Sequence, residues 1–350
     1  MKKIGILTFN RAINYGAVLQ AFALKNAINK YRNTEIINYK NEKIENVYSL
    51  SSKNILKSIL KRIQFSKKNK RFYKFIDENA TQKIYDKDNF NTVEEDFDKI
   101  VVGSDQVWNF TCSGADTVYL LDGVSENVKK YSYAASFGVQ ELPKDQVSLF
   151  EKNLSKFANL AVREETGKRI LKEQLQLEST VVLDPTLLLD KEKWSQALNI
   201  SKAKKRYILT YFLDGDDELK EIANAVSKKT GLPIYNITTS TKSFFGDKVI
   251  KKAGPKEWVE YLYNAEFVVT SSFHGTAFAI NFEKQFYTYA KNNRASRIVD
   301  LLSSLGIESR RISNADDVDL SKQINYGQVN EKLNGERKKS FEFIESIINE

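Results

Sequence analysis

"GPKEWVEYLYNAEFVVTSSFHGTAFAINF", residues 254–282, decides the fold class. Its first twelve residues have helical spacing. "EFVVT" (266–270) is a short apolar β-rich run, and helical spacing returns after the Ser-Ser-Phe-His-Gly turn. Helix, strand, polar turn, helix is the repeating unit of an α/β protein with a largely parallel sheet. The turn also holds His274, the one histidine in 350 residues. A structural histidine can sit anywhere on a surface. This one lies between two elements that read as buried.

The same alternation runs outward in both directions. Upstream strands are expected at 3–9, 35–39, 98–103, 129–136, 159–163 and 179–185, with a broad apolar helix over "GAVLQAFALKNAINKY" (16–31). The polar, lysine-rich stretch 190–205 reads as a connection, after which a second α/β set begins at "RYILTYFL" (206–213). "PIYNIT" (233–238) and "KQFYTYA" (284–290) are further strands of that set. The expected domains are therefore 1–190 and 205–330, followed by an amphipathic C-terminal helix over 331–350.

Composition narrows the class without naming it. Lys+Arg 54 against Asp+Glu 45 gives a net charge of +9, which favours an anionic partner: a phosphorylated metabolite, nucleic acid or an acidic membrane surface. A single cysteine, Cys112, excludes an intrachain disulfide and any cysteine metal cluster. That usage fits a reducing compartment. The first residues read as a buried strand and loop rather than a signal peptide, and no stretch approaches the roughly 18 apolar residues of a membrane span. A cytoplasmic protein is expected. Residues 53–76 form a strongly basic helical region with one apolar face, read as a solvated flank; the alternative is peripheral contact with an anionic membrane surface.

Polar turns follow the strands throughout. "FNRAINYG" with Asn14, Tyr15 and Gly16 follows the first; "GSDQVWN" with Ser104, Asp105 and Gln106 follows the third. "SFG" with Ser136, Arg163 in "REE", and Asp184 in "DPT" follow the next three. In the second set the turn carries Ser271, Ser272, His274, Gly275 and Thr276, and "KNNRASR" follows the next strand with Lys291, Arg294 and Arg297. Ligands of open parallel sheets bind outside the carboxyl ends of strands, where helix N-termini also point. Asn, Asp, Ser and Gly are equally the ordinary residues of turns and caps, so each motif alone has a structural reading. Arg163 stands apart, because a cleft arginine is a natural bidentate partner of carboxylate or phosphate. "DGDDE" (214–218) resembles a metal-holding acid pair, yet it also opens a helix, where acids complement the dipole. No Walker loop, GxGxxG, HExxH or CxxC is present.

Taken together, "NYGAVLQAFAL", "VVGSDQVWN", "AASFG", "VREETG", "LDPTLLL", the stretch quoted first and "RASRIVDLLSSLGI" resemble the polysaccharide pyruvyl transferase family over about residues 1–310. The resemblance implies two Rossmann-like domains facing a central cleft, as in the GT-B glycosyltransferase fold. It implies transfer of the enolpyruvyl group of phosphoenolpyruvate to two hydroxyls of a sugar, with release of phosphate. The acceptor would be free, polymeric or lipid-linked. No cofactor, metal or nucleic acid is implied. The family's histidine motif falls on His274, expected as the catalytic acid or base, and its Arg-acid motif on Arg163–Glu164. Asp105 is the candidate for the acceptor hydroxyl. Many members carry an arginine two positions before the histidine; here Ser272 stands there, and Lys291, Arg294 and Arg297 are the cations that could replace it. Two other readings share the fold: a nucleotide-sugar glycosyltransferase, and a non-catalytic sugar- or phosphate-binding protein.

Overall fold

Two five-stranded parallel sheets carry the same strand order, 3-2-1-4-5 within each. In the first, β1 (Lys3–Leu7), β2 (Thr34–Tyr39), β3 (Ala80–Tyr85), β4 (Phe97–Val102) and β5 (Lys129–Ser132) are arranged β3-β2-β1-β4-β5. Two short strands, β6 (Ala161–Val162) and β7 (Thr180–Val181), continue it beyond β5 through Ser132 N donating to Asn159 O at 3.1 Å and Ala135 N to Ala161 O at 3.2 Å. In the second sheet β8 (Ile208–Tyr211), β9 (Ile234–Ile237), β10 (Lys248–Ile250), β11 (Phe267–Thr270) and β12 (Gln285–Thr288) run β10-β9-β8-β11-β12. This is the Rossmann-like arrangement, and its crevice lies where the order reverses: between β1 and β4 in one sheet, between β8 and β11 in the other.

This computed structural model describes residues 2–48, 55–212, 217–238, 245–289 and 294–350, without the side chains of residues 48, 55–66, 294 and 295. Central strands are Val- and Ile-rich because helices cover both faces of a parallel sheet; β8 and β11 are buried at every position. The helix Tyr15–Ile28 is buried almost all round rather than along one stripe, with twelve of its residues in the interior. β3 and β10 carry no readable signal in the sequence. Both are edge strands, and the three central residues of "ATQKIY" lie exposed.

The chain divides into two units: residues 1–63, 72–188 and 336–350, and residues 64–71 with 189–335. Three expectations change. The stretch 190–205 is no mere connection, because Lys191–Leu198 is a helix capped by Asp190, and Trp194 is fully buried 4.9 Å from the Phe278 ring. The C-terminal helix runs Tyr326–Asn349, and its apolar residues Ile344 and Ile347 complete a core with Ile4, Leu24 and Val101 of the first unit. The basic helix, Ile55–Asn79, is not simply a wet flank. Phe72 and Phe75 pack on Tyr15 and Phe22 at 5.0 and 5.4 Å, and Lys68 is buried, its ammonium pulled down to about 8 by desolvation. Among the described residues no helix is long and apolar enough to cross a membrane.

Candidate active site

In the second unit the decisive turn sits directly after β11, at the reversal of strand order. Ser272 caps the helix Phe273–Asn281, its Oγ accepting from Gly275 N at 3.3 Å. Thr270 Oγ1 accepts from Ser272 N at 3.1 Å and donates to Tyr211 O at 2.6 Å, tying the turn to β8. Thr276 Oγ1 donates to Ser272 O at 3.1 Å and meets Thr288 Oγ1 of β12 at 3.0 Å. A Cβ at Gly275 would lie 2.4 Å from Thr270 Oγ1, so the turn requires glycine there. Ser272, Gly275 and Thr276 thus build the turn, and with Ser271 they are buried.

His274 is the second residue of this helix and is half-buried, its ring edge-on to Phe273 at 5.2 Å. No acid occupies the first turn of this helix, where the positive end of its dipole lies. The Arg297 guanidinium lies 5.7 Å from the centre of the Phe273 ring, which places a cation beside the residue that precedes His274. Lys291 lies outside the described residues, and Arg294 is described only as the backbone start of the helix Arg294–Leu305.

In the first unit the loops after β1 and β4 are joined by a buried network. Gln20 Nε2 donates to Thr8 Oγ1 at 2.9 Å, Thr8 Oγ1 donates to Ser104 O at 2.8 Å, and Ser104 N donates to Gln20 Oε1 at 3.1 Å. Asp105 follows with φ +76°, left-handed backbone that an aspartate enters at a cost and that often marks a functional position. Gln106 faces Asn109, accepting from its Nδ2 at 3.1 Å.

Arg163 is the hub of this end. Its side chain is 2% exposed, with Asp184 at 3.0 Å, Glu164 at 3.6 Å and Asp105 at 3.9 Å. Burial alone would lower its pKa; the Glu164, Asp184 and Asp105 carboxylates outweigh that and raise it. Ser136 Oγ donates to Glu164, while Ser136 N donates to Asp105 O at 3.0 Å. One guanidinium against three carboxylates leaves a net negative cluster. The arginine expected to clamp an anion is a buried guanidinium with acid partners of its own, as such a group needs. Its guanidinium thus faces Asp105 and Glu164 as well as Asp184.

Three other candidates also have structural work. Asn14 caps the helix Tyr15–Ile28, its Oδ1 accepting from Gly16 N at 2.9 Å and Ala17 N at 3.3 Å. Tyr15 and Gly16 are buried in that first turn. Asp184 is buried, accepting from Thr186 N and Oγ1 at 3.0 and 2.7 Å besides Arg163. The structure thus gathers Asp105, Ser136, Arg163 and Asp184 in one unit, and Ser272, His274 and Arg297 in the other. Thr8, Gln20, Thr270 and Thr288 were not legible as site residues, since a threonine in a strand looks like any other β-former. Of "DGDDE", Asp214 and Asp216 lie outside the described residues, while Asp217 pairs with Lys220 in the first turn of the helix Asp217–Thr230. Among the described residues no group of three His, Cys, Asp or Glu could hold a metal.

The description of the polysaccharide pyruvyl transferase family matches residues 14–293, four-fifths of the chain. The chain belongs to this family. It is accordingly a transferase acting in polysaccharide pyruvylation. Comparison with curated proteins finds no match. Among solved structures, the UDP-GlcNAc 2-epimerase of Methanocaldococcus jannaschii, in complex with UDP-GlcNAc and UDP, is 16% identical, with 99% of each chain covered and a TM-score of 0.49. The Neisseria meningitidis UDP-GlcNAc 2-epimerase bound to UDP-GlcNAc is 13% identical over 100% of both chains, TM-score 0.49. An E. coli heptosyltransferase is 12% identical, covering 82% of this chain and 88% of its own, TM-score 0.38. These likenesses are too remote to bear on substrate, and the fold rests on the strand order above.

Proposed function

We propose that the protein transfers the enolpyruvyl group of phosphoenolpyruvate onto two hydroxyls of a sugar in surface-polysaccharide synthesis, forming a cyclic ketal. The observation that carries this reading is the turn at His274: an imidazole in the first turn of a helix that has no acid there, with Arg297 beside Phe273. An anionic donor suits that end of the helix. His274 delivers a proton to the methylene carbon, which becomes the methyl group, and C2 acquires oxocarbenium character. A sugar hydroxyl bonds to C2 and loses its proton, for which Asp105, steadied by Arg163, is the base. A second hydroxyl then bonds to C2 as the C2–O bond to phosphate breaks, its proton returning to His274, and the ketal closes with release of phosphate. Arg297 takes the place of the arginine missing at position 272.

The assay is direct. Phosphate should be released from phosphoenolpyruvate only when a sugar acceptor is also present. Because protein cations and a helix terminus are assigned the donor's charge, turnover should survive EDTA. Activity lost on chelation and restored by magnesium would contradict this and return attention to Asp214 and Asp216. Release of phosphate without any acceptor would count against transfer altogether. The acceptor is a free, polymeric or lipid-linked sugar, and the basic helix Ile55–Asn79 gives a lipid-linked one a surface to approach.

A further inference from the structure

Arg310 is a buried cation for which the reaction has no use. It ends the short turn Glu308–Arg310 in the second unit and is 5% exposed. Its Nη2 donates to the Lys322 backbone carbonyl, its guanidinium lies 5.8 Å from the centre of the Tyr287 ring, and its Nε is buried with no hydrogen-bond partner among the described residues. Among the described residues no carboxylate lies within ion-pair distance of it. Two acids of its surroundings are engaged elsewhere: Glu266, which lines the same cavity, pairs with Arg206 at 3.1 Å, and Asp319 pairs with Lys322 at 3.4 Å. Burial lowers its pKa, offset only in part by Tyr287, Tyr326 and Asp319. A buried charge without a counter-ion is costly, and this contrasts with Arg163, which has three.

Arg310 lines a cavity of about 240 Å³ together with Arg206, Glu266, Lys322 and Gln323. Pockets for drug-sized ligands run to roughly 300–1,000 Å³, so this one suits a small ion or metabolite. Arg206, Arg310 and Lys322 against Glu266 in the lining and Asp319, which pairs with Lys322, leave a net charge of +1, the sign that attracts a phosphate group of roughly −1.5 to −2. Arg206, Glu266, Phe267 and Gln285 lie at the amino ends of β8, β11 and β12. His274 follows the carboxyl end of β11. The two places are at opposite ends of the strands of one sheet.

We propose that this cavity binds a phosphate-type oxyanion, inorganic phosphate or a small phosphate monoester, through Arg310 with Lys322 and Gln323. The fork of Arg310 makes paired hydrogen bonds to two oxygens, and the ligand supplies the missing counter-charge. The site is separate from the donor turn and does not depend on the reaction assigned there.

Calorimetric titration of the full chain with inorganic phosphate, and separately with glycerol 3-phosphate, tests it. Saturable binding should persist in His274→Gln and weaken roughly tenfold or more in Arg310→Met, the scale of a lost charge-assisted contact. If Arg310→Met does not fold, the double variant Arg206→Ala/Lys322→Ala, at two exposed positions, should fold and weaken binding several-fold. Tighter binding of one probe identifies whether free phosphate or an ester is the natural occupant; either supports the site. Absence of saturable binding, binding unchanged in the Arg310 and double variants, or binding lost only in His274→Gln overturns it.

Discussion

His274→Gln should fold normally, still bind phosphoenolpyruvate, and turn over roughly 10²-fold or more slowly, the scale of a lost general acid or base. Glutamine keeps similar size and hydrogen bonding but carries no transferable proton. The fold should tolerate it because the turn is built by Ser272, Gly275, Thr270 and Thr276 rather than by the imidazole. Steady-state kinetics with a parallel melting curve check this. Turnover within about threefold of the wild type, far below that catalytic range, would make His274 structural. Loss of donor binding as well would make it a ligand rather than a proton carrier.

Arg163→Met should cost stability first. It would leave Asp184 and Glu164, 1% and 11% exposed, without their cation. Breaking such a buried pair costs about 3–5 kcal/mol. The deficit should narrow on acidification, as protonation removes the uncompensated negative charge. Arg163→Lys keeps the charge but not the fork that reaches three carboxylates, so it should fold with a smaller loss and show reduced turnover with Asp105 no longer held. Denaturant unfolding at two pH values, alongside kinetics, separates these effects. An Arg163→Met variant as stable as the wild type would show that the carboxylate cluster does not depend on the guanidinium.

The parallel α/β character was legible because helix and strand periods alternate cleanly through residues such as Phe267–Thr270 and Phe273–Asn281. What sequence could not reveal were elements stabilised by pairing alone. β3 and β10 are edges with little burial, and their residues look like loop. Trp194 misled for the opposite reason: one buried indole anchors a helix in a stretch otherwise dominated by charge. The His274 turn could be located because its polar residues break two apolar runs. The environment of Arg163 could not, since Asp105, Glu164 and Asp184 meet it only through the ordering of β4, β6 and β7. Sequence shows that an arginine follows a strand; it does not show how many carboxylates face it.

The central claim is that the donor's methylene carbon is protonated while its C2 is captured by two sugar hydroxyls. The most direct measurement is product analysis from phosphoenolpyruvate and acceptor in deuterated water. The account predicts an acceptor heavier by one pyruvyl ketal, whose new methyl group carries a single deuterium, with one phosphate released per ketal. A product retaining the methylene, or a sugar modified by a glycosyl group with phosphoenolpyruvate untouched, would contradict it.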